Sequence, residues 1–161
     1  MIKERNCADL LIEKKLKITV AESCTGGLIS TKLTSIPGSS EYFDRGFVTY
    51  SNEAKITQLN VQRELINNFG AVSEETATAM AKGALENSHA DIAVSVTGIA
   101  GPSGGTPEKP VGTVFIAIAS DGSVSCKQYV FSGDRTSIRE ETSEQAMHDL
   151  CQVIRSGKIS C

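Results

Sequence analysis

Aromatic residues, histidines and paired cysteines are scarce in this sequence. The 161 residues include no Trp, 5% aromatic residues in all and two histidines, His89 and His148, far apart. We therefore expect a core built mostly from Ile, Leu, Val and Ala. No C-x-x-C pair or Cys/His cluster of the kind that holds zinc is present, so we expect no metal and reduced thiols. The cysteines are Cys7, Cys126 and Cys151 in core-like patterns, Cys161 near the end, and Cys24, discussed below.

Long apolar runs and an excess of positive charge are also missing. No apolar stretch approaches the ~20 residues of a membrane helix, and the charges within residues 1–15 are unlike those of a secretory signal. The formal net charge of −3 gives no basis for sequence-independent binding of nucleic acid. We therefore expect a cytoplasmic protein without a membrane or nucleic-acid partner. The length suits one domain over residues 1–161.

The order of the predicted elements indicates an α/β fold. The pattern predicts helices over residues 5–16, 26–35, 53–59, 63–69 and 73–88 and one opening at 133–139, and strands over 17–21, 43–50, 91–97, 111–119 and 123–131. Asn52 and Asp134 are predicted helix caps. The apolar run at 111–119 predicts a central strand, and Asp121-Gly122 a hairpin. The expected fold is a three-layer α/β/α sandwich with a mixed sheet of about five strands.

Residues 21–27, A-E-S-C-T-G-G, form the turn after the first predicted strand. Ser23 is a candidate nucleophile there, and so is Cys24, because a helix N-terminus lowers a thiol pKa. Backbone N–H groups at the start of the next helix can also bind an anion. The alternative is an ordinary helix cap whose glycines allow close packing. If the first strand and the strand at 91–97 are parallel, the loops after them share one rim of the sheet.

Residues 49–55, T-Y-S-N-E-A-K, add a second candidate group. Tyr50 ends a predicted strand, and Lys55 lies about one turn into the next helix. A desolvated lysine can deprotonate a serine, and a nearby tyrosine can relay the proton. Since neither histidine lies near a glycine-rich turn, a Ser–Lys pair is the natural substitute for a Ser-His-Asp triad, which favours Ser23 over Cys24. The alternative for Lys55 is a surface position on an amphipathic helix.

Two further segments can contact a substrate. The loop over residues 97–110 is rich in Gly and Pro and longer than a simple connector. Its amides can form an oxyanion hole or hold a ribose phosphate. Arg135 and Arg139 lie four residues apart on one helix face, which suits a phosphate or a carboxylate. The alternatives are a tolerated surface loop and a pair of exposed salt bridges.

Five segments carry a family resemblance. They are A-E-S-C-T-G-G, F-D-R-G-F-V-T-Y-S-N-E-A-K (43–55), G-A-V-S-E-E-T-A (70–77), V-T-G-I-A-G-P-S-G-G-T-P-E-K-P-V-G-T-V (96–114) and F-S-G-D-R-T-S-I-R (131–139). Each is weak alone, but all five in this order are specific. The chain resembles the CinA C-terminal domain family, in its stand-alone form, over about residues 7–155. The resemblance implies a three-layer α/β/α fold, no metal or other cofactor, and hydrolysis of nicotinamide mononucleotide (NMN) to nicotinate mononucleotide and ammonia.

The resemblance also implies roles for individual residues. Ser23 is the nucleophile, Lys55 its base and Tyr50 the proton relay. Glu22 orients Lys55 or faces the pyridinium charge. The residues expected to lie against the substrate are Thr25, Gly26 and Gly27, whose amides would receive the oxyanion, and Thr97, Gly98, Ala100, Gly101, Gly105, Arg135 and Arg139, which would hold ribose and phosphate.

The implied ligand is a small-molecule nucleotide, and the implied assembly is a homodimer or a higher homo-oligomer. Two alternatives to NMN hydrolysis stay open. One is an amidase that acts on another small amide. The other is a non-catalytic module that binds a nucleotide or a partner and is linked to competence or DNA damage.

Overall fold

A computed structural model describes residues 2–157, apart from the side chain of Lys3; Cys161 lies outside the described residues. Within this range, six α-helices and five strands follow one another in the order predicted from the sequence. The helices are α1 (Ile2–Glu13), α2 (Leu28–Thr34), α3 (Asn52–Leu59), α4 (Arg63–Phe69), α5 (Glu74–Glu86) and α6 (Arg135–Arg155), with a 3₁₀ turn at Ser39–Glu41. The strands are β1 (Ile18–Glu22), β2 (Phe43–Val48), β3 (Ile92–Gly98), β4 (Thr113–Ser120) and β5 (Ser123–Val130).

The five strands form one mixed sheet in the order β2-β1-β3-β4-β5. β1 pairs in parallel with both β2 and β3, while β4 is antiparallel to β3 and to β5. Every residue of β4 is buried, as predicted for a central strand, whereas β2 and β5 at the edges are partly exposed. The predicted mixed sheet is therefore confirmed.

Helices cover both faces of the sheet. On one face, α1, α2 and α6 pack together over a core that includes Leu11, Ile29 and Met147. On the other face, α5 crosses the strands and contacts α3 and α4, with Met80 and Leu59 in the core. None of the helices in residues 2–157 has the length and apolar composition needed to cross a bilayer.

The starts of the helices show which local predictions hold. Asp134 caps α6 by accepting a hydrogen bond from Ser137 N–H at 2.8 Å, as predicted. The prediction that Asn52 caps α3 is wrong. Ser51 is the cap: it has extended backbone angles, and its Oγ accepts from Ala54 N–H at 3.0 Å. A hydroxyl one residue earlier thus takes the position that the asparagine side chain would need.

The topology brings the ends of four strands to one rim. β1, β2 and β3 are parallel, so Glu22, Val48 and Gly98 end side by side. β5 runs in the same direction because it is separated from β3 by the single antiparallel strand β4. Its end leads into α6, which begins at Arg135. This rim therefore collects the turn after β1, the start of α3, the loop after β3 and the first turns of α6.

Candidate active site

Ser23 lies in the turn that directly follows β1. We call residues 23–27 the serine turn. Ser23 N–H donates to Val96 O at 3.1 Å, which extends the sheet by one residue. The chain then bends through Gly26 and Gly27, whose φ angles of 60° and 105° lie in the left-handed region that favours glycine. α2 starts only at Leu28, two residues later than the sequence pattern predicted.

Lys55 reaches the serine turn from the first turns of α3. Its side chain is 1% exposed. Its Nζ lies 2.9 Å from Ser23 Oγ, 2.8 Å from Thr49 O and 3.3 Å from Tyr50 O. The structure thus brings together the serine and lysine that the sequence predicted as a pair. Burial lowers the pKa of Lys55 from 10.5 to about 8, because an ammonium loses its hydration inside the protein.

Cys24 is chemically unlike its neighbour Ser23. The thiol is buried, and burial raises its pKa to about 12. A thiol with that pKa stays protonated near neutral pH, and the thiolate is the reactive form. Its Sγ packs beside Gly98: a methyl group at Gly98 would lie 3.2 Å from it. Of the two candidate nucleophiles, the structure therefore favours Ser23.

Glu22 lies beneath the serine turn and is fully buried. Its carboxylate accepts five hydrogen bonds, from Thr25 Oγ1 at 2.7 Å, Gly27 N–H at 3.2 Å, Ile29 N–H at 2.9 Å, and Ser30 N–H and Oγ at 3.0 and 2.7 Å. The expectation that Glu22 orients Lys55 or faces a substrate is wrong for this structure. A carboxylate satisfies the free N–H groups at the start of a helix, and here it comes from the end of β1.

Hydrogen bonds within the turn also remove Gly26 and Gly27 as oxyanion donors. The Thr25 hydroxyl points down to Glu22, and the residue is fully buried. Gly26 N–H donates to Ser23 O at 3.0 Å, and Gly27 N–H donates to Glu22. The prediction that the glycine amides receive an oxyanion is therefore wrong for this conformation, because the turn uses both N–H groups to hold itself.

The two arginines of α6 have separate partners. Arg135 Nη1 donates to Gly101 O at 2.7 Å, and its Nη2 donates to the Tyr50 hydroxyl at 2.7 Å. Arg139 Nε donates to Cys24 O at 3.1 Å, and its Nη2 donates to Thr25 O at 2.9 Å. Arg135 thus spans the mouth of the site, whereas Arg139 holds the serine turn.

Tyr50 is exposed, at 57%. Its carbonyl accepts from Lys55, but its phenol accepts from Arg135. The expected relay between Tyr50 and the Ser23–Lys55 pair is therefore not formed in this conformation, because the ring leaves the buried corner and lies at the rim.

Comparison with known proteins shows the family to which this chain belongs. The model of the CinA C-terminal domain matches residues 2–154. The chain belongs to the CinA C-terminal domain family. It is 54% identical over 140 residues to a CinA-like protein of Geotalea uraniireducens, a match that covers 87% of this chain and 33% of that protein. It spans about a third of the length of the curated relatives it matches.

Solved structures agree with this CinA-family assignment. The competence/damage inducible protein CihA from Agrobacterium tumefaciens superposes with a TM-score of 0.89 at 46% identity, covering 94% of each chain. A competence-damaged protein (CinA) superfamily protein from Klebsiella pneumoniae gives a TM-score of 0.93 at 34% identity, covering 96% of this chain and 97% of that one.

In this CinA-family domain, Thr97 and Gly98 end β3, and residues 102–108 of the glycine-rich loop that follows are exposed. Thr97 is buried and donates to Ala71 O at 2.8 Å, and Ala100 is buried as well. A methyl group at Gly98 would lie 2.7 Å from Val114 Cγ2, and one at Gly105 would lie 2.7 Å from Val111 N. Of the five loop residues predicted to bind substrate, Gly101 is the one that meets a predicted site arginine, Arg135.

Thr49 is the site residue that sequence reasoning missed. Its carbonyl accepts from Lys55 at 2.8 Å. Its hydroxyl is buried and, within residues 2–157, has no hydrogen-bond partner, which is unusual for a buried polar atom. The sequence gives no sign that Thr49 belongs to the site, because a threonine before a tyrosine is not a recognisable motif. Across the described residues, no group of three or more His, Cys, Asp and Glu is placed to hold a metal ion.

Proposed function

We propose that this domain hydrolyses the carboxamide of NMN by a Ser–Lys mechanism. The observation that carries the proposal is the buried contact of 2.9 Å between Lys55 Nζ and Ser23 Oγ. A lysine with a pKa of about 8 is partly neutral near neutral pH, and only the neutral amine can act as a base. NMN as the substrate rests on the resemblance of the sequence motifs to the CinA C-terminal domain family.

The hydrogen bonds around Lys55 suit a general base. A neutral amine has two N–H groups and one lone pair. If the N–H groups donate to Thr49 O and Tyr50 O, at 2.8 and 3.3 Å, the lone pair faces the Ser23 hydroxyl. Lys55 would take the proton as Ser23 Oγ attacks the carboxamide carbon, and would pass it to the leaving ammonia. Water would then hydrolyse the nicotinoyl ester, with Lys55 as base again.

Two groups remain to stabilise charge on the substrate. Within residues 2–157, no backbone carbonyl accepts a hydrogen bond from Cys24 N–H. This group directly follows the nucleophile, so we assign it to the oxyanion. We assign the nucleotide phosphate to Arg135, which is exposed and whose Nη2 donates to the exposed Tyr50 hydroxyl. A phosphate would compete well for a guanidinium because the hydrogen bonds are charge-assisted.

Ammonia release from NMN by purified protein tests the proposal. Ser23→Ala and Lys55→Met are each expected to lower kcat at least about 1000-fold, while Cys24→Ala stays within about threefold. Circular dichroism and thermal melting show whether each variant is folded. Turnover by a folded Ser23→Ala protein together with a dead Cys24→Ala protein would transfer the role to the thiol. Turnover of other amides alone, or tight NMN binding without turnover, would replace the proposal by one of the two alternatives.

Assembly is a separate proposal. The resemblance favours a homodimer or a higher homo-oligomer. Size-exclusion chromatography coupled to light scattering measures the molar mass in solution and tests this directly.

A further inference from the structure

Arg139 contacts the backbone carbonyls of the serine turn. It is half-buried, and its guanidinium spans two consecutive carbonyls, Cys24 O and Thr25 O. A methyl group at Gly26 would lie 3.3 Å from Arg139 Nη2, so the guanidinium also packs closely on the glycine. The family resemblance predicts, in contrast, that this arginine holds the ribose or the phosphate of the substrate.

Glu22 and Arg139 complement each other chemically. Glu22 accepts from N–H groups and hydroxyls that follow the bend. Arg139 donates to the carbonyls of Cys24 and Thr25. The carboxylate of Glu22 therefore binds the hydrogen-bond donors of the turn, and the guanidinium of Arg139 binds its carbonyl acceptors. Both sets of hydrogen bonds are of the stronger, charge-assisted kind.

The turn needs such support because its two glycines leave the backbone free to adopt other conformations. Gly26 and Gly27 have φ angles of 60° and 105°, and glycine moves between backbone regions at low cost. Cys24 and Thr25 directly follow Ser23, so a rotation of either peptide plane moves the serine. A displacement of about 1 Å at a reacting group can lower a rate about 100-fold.

We propose that Arg139 is a positioning residue, which fixes the serine turn so that Ser23 Oγ stays within reach of Lys55, and that it does not bind the substrate phosphate. The inference rests on the proposed Ser–Lys chemistry. It separates the two arginines of α6: Arg135 is exposed and contacts Gly101 O and the Tyr50 hydroxyl, while Arg139 contacts the backbone that carries the nucleophile.

Two substrates that differ only in the phosphate distinguish the roles. Arg139→Ala is assayed on NMN and on nicotinamide riboside. We expect kcat to fall about 100-fold on both substrates, with KM for NMN within about threefold of the wild type. Arg135→Ala is expected to raise KM for NMN and to leave the nicotinamide riboside reaction nearly unchanged. Arg45→Ala is the matched control, because Arg45 Nη1 also donates to a distant carbonyl, Asn87 O at 3.1 Å, but outside the site.

Rescue shows whether the loss comes from the missing guanidinium. Guanidinium chloride at millimolar concentration is expected to restore part of kcat in Arg139→Ala and none in Ser23→Ala. Arg139→Lys keeps the charge but cannot span both carbonyls, so its kcat should lie between the wild type and Arg139→Ala. If Arg139→Ala does not fold, Arg139→Lys is used with the same two substrates.

Two results would overturn the inference. One is a rise in KM for NMN at unchanged kcat with no effect on nicotinamide riboside, which is the behaviour of a phosphate ligand. The other is a kcat within threefold of the wild type in a folded Arg139→Ala protein.

A substrate-independent readout separates this inference from the proposed function. A fluorophosphonate forms a bond between Ser23 Oγ and phosphorus as fluoride leaves and the hydroxyl proton passes to Lys55. If the wild type reacts at Ser23 but does not hydrolyse NMN, the substrate proposal is wrong. The labelling rate of Arg139→Ala, expected about 100-fold lower, then still tests the positioning role, and an unchanged rate would overturn it.

Discussion

Replacing Lys55 by methionine should change how the stability of the protein depends on pH. Lys55 is 1% exposed, and its pKa in the folded protein is about 8. In the unfolded chain the pKa returns to 10.5. Methionine has a similar length and no titrating group, so Lys55→Met removes this contribution and fills the same space.

The sign and size of the effect follow from proton binding. Between the two pKa values, the unfolded chain holds a proton on Lys55 that the folded protein lacks. Stability from this group is therefore fully present above pH 10.5 and is lost as the pH falls through about 8. Integration from about pH 10 to about pH 7 gives a loss of about 2–3 kcal/mol.

Urea denaturation of both proteins at several pH values between about 7 and 10 measures this difference. Cysteines and tyrosines also titrate in this range, but they are common to both proteins and cancel in the comparison. We expect the wild type to gain about 2–3 kcal/mol in the free energy of unfolding, relative to Lys55→Met, as the pH rises across the range. Lys82→Met is the matched control, because Lys82 is exposed on α5. The pH dependence of its free energy of unfolding should run parallel to that of the wild type.

Parallel curves for the wild type and Lys55→Met would refute the reasoning. They would mean that Lys55 has the same pKa in the folded and unfolded protein, and hence that it is charged near neutral pH and cannot serve as the base.

Three further predictions concern the site. First, kcat/KM for NMN should rise about tenfold per pH unit up to about pH 8 and then level off, since the neutral form of Lys55 is the base; a profile flat from about pH 6 to 9 would contradict this role. Second, Tyr50→Phe should raise KM about threefold to tenfold and change kcat little, because its hydroxyl contacts Arg135; a large fall in kcat alone would restore Tyr50 as a relay. Third, Gly98→Ala should destabilise the protein by about 1–3 kcal/mol in urea denaturation, because its methyl group would lie 2.9 Å from Thr113 O; an unchanged midpoint would show that the strand ends can separate.

The elements of the fold could be predicted because their signals are local. Apolar periodicity, glycine and proline punctuation, and the cap at Asp134 each depend on a few neighbouring residues, and together they gave the element order correctly. The nearly continuous apolar run of β4 indicated burial on both faces, which the structure confirms. The missed cap at Ser51 is a local error too: two polar residues in a row offered a cap, and only backbone angles distinguish them.

The candidate site was predicted in part. The Ser23–Lys55 pair could be predicted because neither histidine lies near a glycine-rich turn, which makes a Ser–Lys pair the natural substitute for a triad. The structure shows why the two residues meet: β1 and β2 are parallel neighbours, so the segments after them share one rim. The partners of Glu22, Tyr50 and Arg139 were not accessible. A charged or hydroxylated side chain at such a rim can reach either the substrate or the protein, and the sequence pattern is the same in both cases.

By itself, the sequence determined the order of helices and strands, the mixed sheet and the residue types available for chemistry. The tertiary structure alone decided which of them face the site. Thr25, Glu22 and Arg139 come from different elements, and Arg139 lies 114 residues from Thr25 in the chain. Buried polar groups must find hydrogen-bond partners. Because α6 packs against the serine turn, Arg139 finds its partners in the backbone of that turn, and Lys55 is the charged side chain that contacts Ser23 Oγ.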